Sequence, residues 1–257
     1  MNILITGASS GLGAALAVAY AAPGYTLLLT GRNKERLQQV AETCRTHGAV
    51  VIAEVLDVTN AAALAQWIKQ CDHEHPIDLL IANAGISGGT FGGGETDEQT
   101  RTIFAVNVEG VLNTVLPTIP LMQARQKGHI VLISSLAGFR GLPSAPSYSA
   151  SKAAVRLYGE GLRGSLAKDK IAVTVVTPGY IKTPMTAVNN FPMPLLMSAE
   201  KAARLIKCRL AKAPARIAFP WLFYALVHFI ACLPPRLTDP LLARLPAKPS
   251  VSYETDA

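Results

Sequence analysis

Tyr148 and Lys152 stand four residues apart in Pro-Ser-Tyr-Ser-Ala-Ser-Lys, and Ser134-Ser135 closes an apolar run upstream of them. On a helix, side chains at i and i+4 share one face. The lysine charge then lies near the phenol and favours its ionised form, so the spacing predicts a lowered pKa for Tyr148. A tyrosine tuned in this way gives or takes a proton near neutral pH. A hydroxyl from another segment could hold a substrate oxygen beside it. An ordinary amphipathic helix also carries Tyr and Lys at this spacing, so the pair gains its weight from the other end of the chain.

Met1 to Ile5 is a short apolar run suited to a buried parallel strand. Thr6-Gly7-Ala8-Ser9-Ser10-Gly11-Leu12-Gly13 follows it, and Ala14 to Ala22 reads as a helix. Gly7 permits the sharp turn out of the strand. Gly11 leaves bare the place where backbone approaches a pyrophosphate, and Gly13 lets helix and strand pack closely. The helix N-terminus then offers free N–H groups and a positive dipole end to phosphates. Ser9, Ser10 and Leu12 lie within the same binding turn.

Together the two signals resemble the short-chain dehydrogenase/reductase family, in its shorter branch. That branch carries Thr-Gly-x-x-x-Gly-x-Gly, then Asn-Ala-Gly, a Ser, and Tyr-x-x-x-Lys thirteen residues beyond the Ser. Here Asn83-Ala84-Gly85 supplies the second element, and Ser135 precedes Tyr148 by thirteen. The extended branch spaces its glycines differently and does not fit. The resemblance covers roughly residues 1–216, with the motifs in family order. It implies a catalytic set of Asn107, Ser135, Tyr148 and Lys152, in which Asn107 helps hold a water linking Lys152 to solvent. A satisfied core Asn would look the same in sequence.

The resemblance also implies a nicotinamide cofactor. Asp57, in Leu56-Asp57-Val58, matches the position that contacts the adenine amino group, and Asn83 and Gly85 match residues lining the cofactor. In Pro178-Gly179-Tyr180-Ile181-Lys182-Thr183, the Ile181 backbone and the Thr183 hydroxyl match the groups that hold the carboxamide. Tyr148 and Lys152 serve the cofactor as well as the reaction. Dinucleotide folds place an acid at the end of the second strand to bind the ribose 2′-hydroxyl. This chain reads Thr30-Gly31-Arg32 there, and Arg32 suits a 2′-phosphate. NADP(H) is therefore expected.

A chain of 257 residues, 50% hydrophobic and only 16% charged, fits one α/β domain whose strands are buried on both faces. Cys44, Cys71, Cys208 and Cys232 show no metal-ligand spacing, so no metal is expected and reduced thiols in a cytoplasmic protein are. No basic stretch precedes the first apolar residues, and these are committed to a strand, so no secretory signal is expected. The net charge of +7 suits an anionic cofactor, an acidic substrate or an anionic membrane surface. No arginine-rich or aromatic-basic pattern argues for nucleic acid.

Strand runs over 26–30, 50–56, 79–82, 129–134 and 171–177 alternate with helical patterns over 34–47, 61–71, 98–126, 148–168 and 199–213. Pro117 and Pro120 interrupt the third of these helices, and Thr96 and Ser198 precede helix starts. The alternation predicts a doubly wound, Rossmann-like parallel sheet with helices on both faces. Residues 1–216 form the catalytic domain, and 217–257 hold the last strand, an apolar helical extension and a polar tail.

Ser87 to Gly94, with five glycines, reads as a mobile loop at the mouth of the site. Pro184 to Met197 falls where the family has its substrate lid, and its methionines, Phe191 and leucines suit a lipophilic carbonyl or alcohol. They suit packing on the protein itself equally well. Trp221 to Leu233 is apolar all round except for His228, and such a helix must hide from water. Residues 217–233 would reach only about 25 Å as a helix, too short to cross a bilayer. A membrane interface, with Arg236, Arg244 and Lys248 on anionic headgroups, or a second subunit would cover it. The basic balance favours peripheral attachment to the inner face of a membrane, and a homo-oligomer is expected. The four-residue catalytic set favours an enzyme over a nucleotide-sensing regulator without turnover.

Overall fold

The computed structural model describes residues 1–90 and 94–246. Residues 91–93 of the glycine-rich stretch and the tail Lys248 to Ala257 lie outside the described residues. Seven strands form one parallel sheet: β1 (Asn2–Thr6), β2 (Thr26–Gly31), β3 (Val50–Val55), β4 (Leu79–Ala82), β5 (Gly128–Ile133), β6 (Ile171–Pro178) and β9 (Arg216–Phe219). Their order is β3-β2-β1-β4-β5-β6-β9. The pleat explains the near-continuous apolar runs. Ile3 and Ile5 face one core cluster with Leu27, Leu29, Leu79 and Ile81, whereas Leu4, Leu28 and Leu80 face the other. Both faces are covered, so both phases of the alternation must be apolar.

Helices α1 (Gly11–Tyr20), α2 (Lys34–Thr46) and α8 (Ala199–Leu210) cover the first face, and α3 (Ala61–Glu74), α5 (Gly110–Arg125) and α6 (Pro146–Leu166) cover the second. The chain winds outward through β1, β2 and β3, then restarts at β4 on the other side of β1. That switch point opens a crevice at the carboxyl ends of the strands. Side-chain caps from Asn33, Asn60 and Ser198 start α2, α3 and α8, each satisfying an N–H the helix cannot.

The stretch expected to break at Pro117 and Pro120 does not break there. Thr96 caps α4 (Asp97–Phe104), a π-helical turn follows over Ala105–Glu109, and α5 runs unbroken through both prolines. Val111, Val115 and Met122 bury its inner face against α3 and the sheet, and that packing outweighs the hydrogen bonds the prolines remove. Among the described residues, Asp97–Arg125 is the one helical stretch long and apolar enough to cross a membrane, and its inner face, with Val106, Val111, Val115 and Met122, packs into this core.

Beyond β6 lie two short strands, β7 (Ile181–Lys182) and β8 (Met197–Ser198), with α7 (Pro184–Ala187) between them. After β9 come α9 (Trp221–Cys232) and α10 (Pro235–Leu242). The strand begins at Arg216, so a boundary drawn after that residue cuts β9, which pairs with β6 from Arg216 to Phe219. The sheet ends at Phe219 and the extension begins at Trp221.

Candidate active site

The turn after β1 shapes one end of the crevice. Gly7 and Gly11 have φ of 65° and 56°, a conformation costly for any residue with a Cβ. The Thr6 hydroxyl accepts N–H bonds from Asn83 at 3.1 Å and Ala84 at 3.2 Å, and the Asn83 amide donates to the Thr6 and Gly7 carbonyls. Asn83 thus ties the end of β4 to the glycine turn. A Cβ on Gly13 would stand 2.2 Å from the Gly7 carbonyl oxygen. Gly13 therefore lets α1 pack directly onto the turn. Ser10 precedes α1 without a side-chain cap, and the first turn holds no acid. The first-turn donors remain for an anion.

A cleft of about 800 Å³ runs from this turn. Gly7, Ser9, Ser10, Gly11, Leu12, Arg32, Asp57, Val58, Asn83 and Gly85 line it, as do Ser135, Tyr148, Lys152, Pro178, Gly179, Ile181 and Thr183. Arg32 stands on the rim, 59% exposed, 3.8 Å from the Asp57 carboxylate. Asp57 also accepts bonds from the Thr59 N–H and hydroxyl, each at 2.8 Å, which fix its orientation. Lys34 and Arg36 line the same end, and sequence reasoning did not single out Arg36. A Cβ on Gly31 would meet the Ser9 hydroxyl at 2.8 Å and its backbone nitrogen at 3.2 Å. The residue before Arg32 is bare because the binding turn passes over it.

The other end of the cleft is built on α6. Lys152 is only 4% exposed, and its ammonium donates to the Ile133 carbonyl at 3.1 Å. The Ser134 hydroxyl donates to the Lys152 carbonyl at 2.7 Å, locking the helix to the end of β5. The Lys152 nitrogen lies 5.8 Å from the centre of the Tyr148 ring, and the Ser135 side chain is hydrogen-bonded to the Tyr148 phenol. Proton carrier, cation and oxygen-holding hydroxyl therefore converge.

The electrostatics differ from the expectation of a lowered tyrosine. Burial pushes Lys152 down to about 8. Burial also pushes the Tyr148 phenol up, the Ser135 bond opposes that rise, and Tyr180 adds to it. The physical reason is desolvation, which opposes the charged form of each group: the phenol stays protonated, and the ammonium, bonded to the Ile133 carbonyl, keeps its proton at neutral pH only at a cost.

Asn107 sits on the π-helical turn, fully buried and outside the cleft lining. Its amide donates to the Ile86 carbonyl at 2.9 Å and the Ser151 hydroxyl at 3.0 Å, and it accepts from the Ile86 N–H at 2.8 Å. Ser151 in turn donates to the Tyr148 carbonyl. Asn107 thus braces the catalytic helix against the end of β4. A Cβ on Gly85 would lie 3.1 Å from the Asn107 side-chain oxygen and 3.2 Å from the Lys152 nitrogen, so both groups reach one space.

Glu95 is a second support that sequence reasoning missed. Helix α6 has no cap of its own, and the Glu95 carboxylate accepts the Ser147 N–H at 3.0 Å. That contact joins residues 52 apart, a separation at which no local capping pattern can operate.

After β7, Thr183 and Thr186 form a capping box on α7. A Cβ on Gly11 would stand 3.2 Å from the Thr183 methyl, so the start of the lid segment closes over the glycine turn. Farther along, Phe191 meets Tyr180 edge-on at 6.4 Å, whereas Leu195 and Leu196 face outward. The lid's apolar residues are thus divided between packing and exposure.

Residues 1–192 match the short chain dehydrogenase family. A Myxococcus xanthus protein named as an oxidoreductase is 39% identical over 243 residues, covering 94% of this chain and 96% of its own. A Mycobacterium tuberculosis oxidoreductase is also 39% identical, covering 92% of this chain and 95% of its own. Among solved structures, a short chain dehydrogenase/reductase from Burkholderia phymatum in complex with NAD is similar, with a TM-score of 0.82 at 26% identity over 98% of both chains. A short-chain dehydrogenase from Sphingobium yanoikuyae in complex with NADPH gives a TM-score of 0.78 at 26% identity, covering 98% of this chain and 99% of that one.

Proposed function

The chain belongs to the short-chain dehydrogenase family of oxidoreductases, and from that membership we propose an NADP(H)-dependent enzyme that interconverts a lipophilic carbonyl and its alcohol. The observation that carries this reading is the meeting of Tyr148, Lys152 and the Ser135 hydroxyl at one end of a cleft. The other end of that cleft has the features of a dinucleotide cradle. The uncapped, acid-free start of α1 and the bare Gly7 and Gly11 suit a pyrophosphate, and Gly85 keeps the space beside Lys152 clear.

A nicotinamide held in this cleft would supply hydride exchange with the substrate carbon. Tyr148 moves the matching proton at the substrate oxygen, and Ser135 donates a hydrogen bond that fixes and polarises that oxygen. The Lys152 ammonium, still protonated at neutral pH, would hold the ribose hydroxyls and stabilise the tyrosinate. Asn107 keeps the helix carrying both residues in register with β4. A panel of ketones and alcohols followed at the nicotinamide absorbance, with NADPH and NADP⁺, tests the assignment. Turnover of at least one lipophilic pair is expected. Tight dinucleotide binding without turnover on any carbonyl or alcohol would favour the regulator instead.

The relatives hold both NAD and NADPH, so cofactor choice is read from this chain's own residues. Arg32 stands on the rim with only a loose partner in Asp57, and Lys34 and Arg36 add positive charge beside it. A charge-assisted bond contributes ~1.5–3 kcal/mol. Arg32→Ala is accordingly expected to weaken NADPH by about 10-fold or more and NADH little, as read by titration calorimetry. Equal weakening of both would remove Arg32 as the discriminator.

The lipophilic substrate is supported by Phe191, Tyr180 and the lid leucines. The apolar outer helices suit a cytoplasmic enzyme held peripherally at a membrane. A homo-oligomer is supported by a separate apolar groove between α5 and α6, where Leu112, Ala154 and Tyr158 lie near exposed Leu116 and Leu157.

A further inference from the structure

We propose that the outward face of α9 and α10 docks the enzyme on an anionic lipid surface and that the active site draws its substrate from that surface. The second half rests on the reading of a lipophilic carbonyl substrate given above.

Helix α9 divides cleanly into two sides. Phe223, Tyr224 and Val227 turn inward, whereas Trp221, Leu222, Leu226 and Phe229 face solvent, with Trp221 73% and Phe229 63% exposed. On α10 and just beyond it, Leu237, Leu241 and Leu245 recur every four residues, all exposed. Six large apolar side chains at helical spacing, with Trp221 beside them, form a surface that water does not favour. At 12 residues the helix is ~18 Å long, too short to span a bilayer and suited to lying in its interface.

Charge selects the occupant. Arg236 and Arg244 are exposed on the same segment. Its one acid, Asp239, is bonded to Arg140 at 2.5 Å. An anionic headgroup layer complements this face. A two-fold pairing of the same face would bring the arginines of both copies, four cations, into one seam, a cost that an anionic headgroup layer does not carry.

The face is held rigidly. Arg216 bonds Glu160 and donates to the Tyr224 hydroxyl at 3.0 Å, His228 stacks on Tyr224 at 5.6 Å, and Phe139 lies under Arg156 at 4.6 Å. It is also continuous with the site. Phe223 stacks on Tyr180 at 6.0 Å, and a Cβ on Gly179, which lines the cleft, would lie 3.2 Å from the Phe223 ring. The lid reaches the same tyrosine through Phe191. An apolar substrate leaving the bilayer beside α9 meets aromatic rings on its way to Tyr148.

The test uses full-length protein with vesicles of equimolar phosphatidylcholine and phosphatidylglycerol, and with phosphatidylcholine alone. Co-sedimentation with the anionic vesicles and a blue shift of the tryptophan emission are expected, because Trp221 is exposed and Trp67 is already buried. Leu226→Glu with Phe229→Glu should weaken binding at least 10-fold. Arg236→Glu with Arg244→Glu should abolish the preference for phosphatidylglycerol. All variants should keep wild-type turnover on a short water-soluble ketone, which reads the catalytic assignment separately. Turnover of a long-chain ketone carried in the vesicles should rise several-fold for the wild type alone. Absence of vesicle binding, or a dimer that Leu226→Glu with Phe229→Glu dissociates, would overturn the docking. Binding without faster turnover of the long-chain ketone would overturn substrate delivery.

Discussion

Tyr148→Phe is expected to lower turnover by about 10²-fold or more while leaving the affinity for NADP(H) nearly unchanged. The substitution removes one oxygen, the one hydrogen-bonded to Ser135, and keeps a ring of the same shape at the same place on α6. Steady-state kinetics and a nucleotide titration on the same preparation separate the two quantities. The pH dependence follows from the raised phenol. A phenol held protonated is ready to donate, so carbonyl reduction should persist through neutral pH and fall as alkali removes the proton. Alcohol oxidation needs the phenolate and should rise with pH. Lys152, Ser135 and Tyr180 are the groups set against this phenol, and a bound dinucleotide adds its own charge. Near-normal turnover in the Phe variant would sink the assignment.

The parts of the fold that were legible share one property: their cause is local. Apolar runs such as Ile3-Leu4-Ile5 marked strands because both faces of a parallel sheet are covered. Ser198 and Thr96 marked helix starts because a cap acts over three residues. Pro117 and Pro120 misled because their effect is local but the packing that overrides it comes from α3 and the sheet. The π-helical turn at Asn107 left no pattern, since its extra residue is accommodated by contacts with Ile86 and Ser151 from other elements.

The candidate site divides the same way. Glycine spacing and the Tyr148–Lys152 interval are short-range geometry and could be read directly. Glu95 on Ser147 joins residues 52 apart and has no sequence signature. Arg36 looked like any polar residue on α2, and only the fold turns it toward the cleft. The lysine–tyrosine electrostatics failed for a related reason. Spacing reports that two groups share a face, but it does not report how little water reaches them.

That absence of water makes Lys152→Met the second large effect, with opposite signs for function and stability. Turnover and dinucleotide affinity should both fall, because the ammonium is proposed to serve the proton and the ribose alike. Stability of the nucleotide-free protein should rise at pH 7. Burial lowers the Lys152 pKa from 10.5 to about 8, so between those values the unfolded chain holds a proton that the folded chain has released. Wild-type stability therefore climbs with pH across that window, by on the order of 3 kcal/mol from this residue. Below pH 8 the full penalty remains. Methionine carries no charge to desolvate, although it leaves the Ile133 carbonyl without its donor at a cost of about 1 kcal/mol. The variant should accordingly be more stable by about 2 kcal/mol at pH 7, and it should lose that advantage as pH approaches 10.5. Urea unfolding of both proteins at pH 7 and pH 10 reads the difference directly. Parallel curves at the two pH values would mean that Lys152 is solvated and is not the buried cation on which its catalytic role depends.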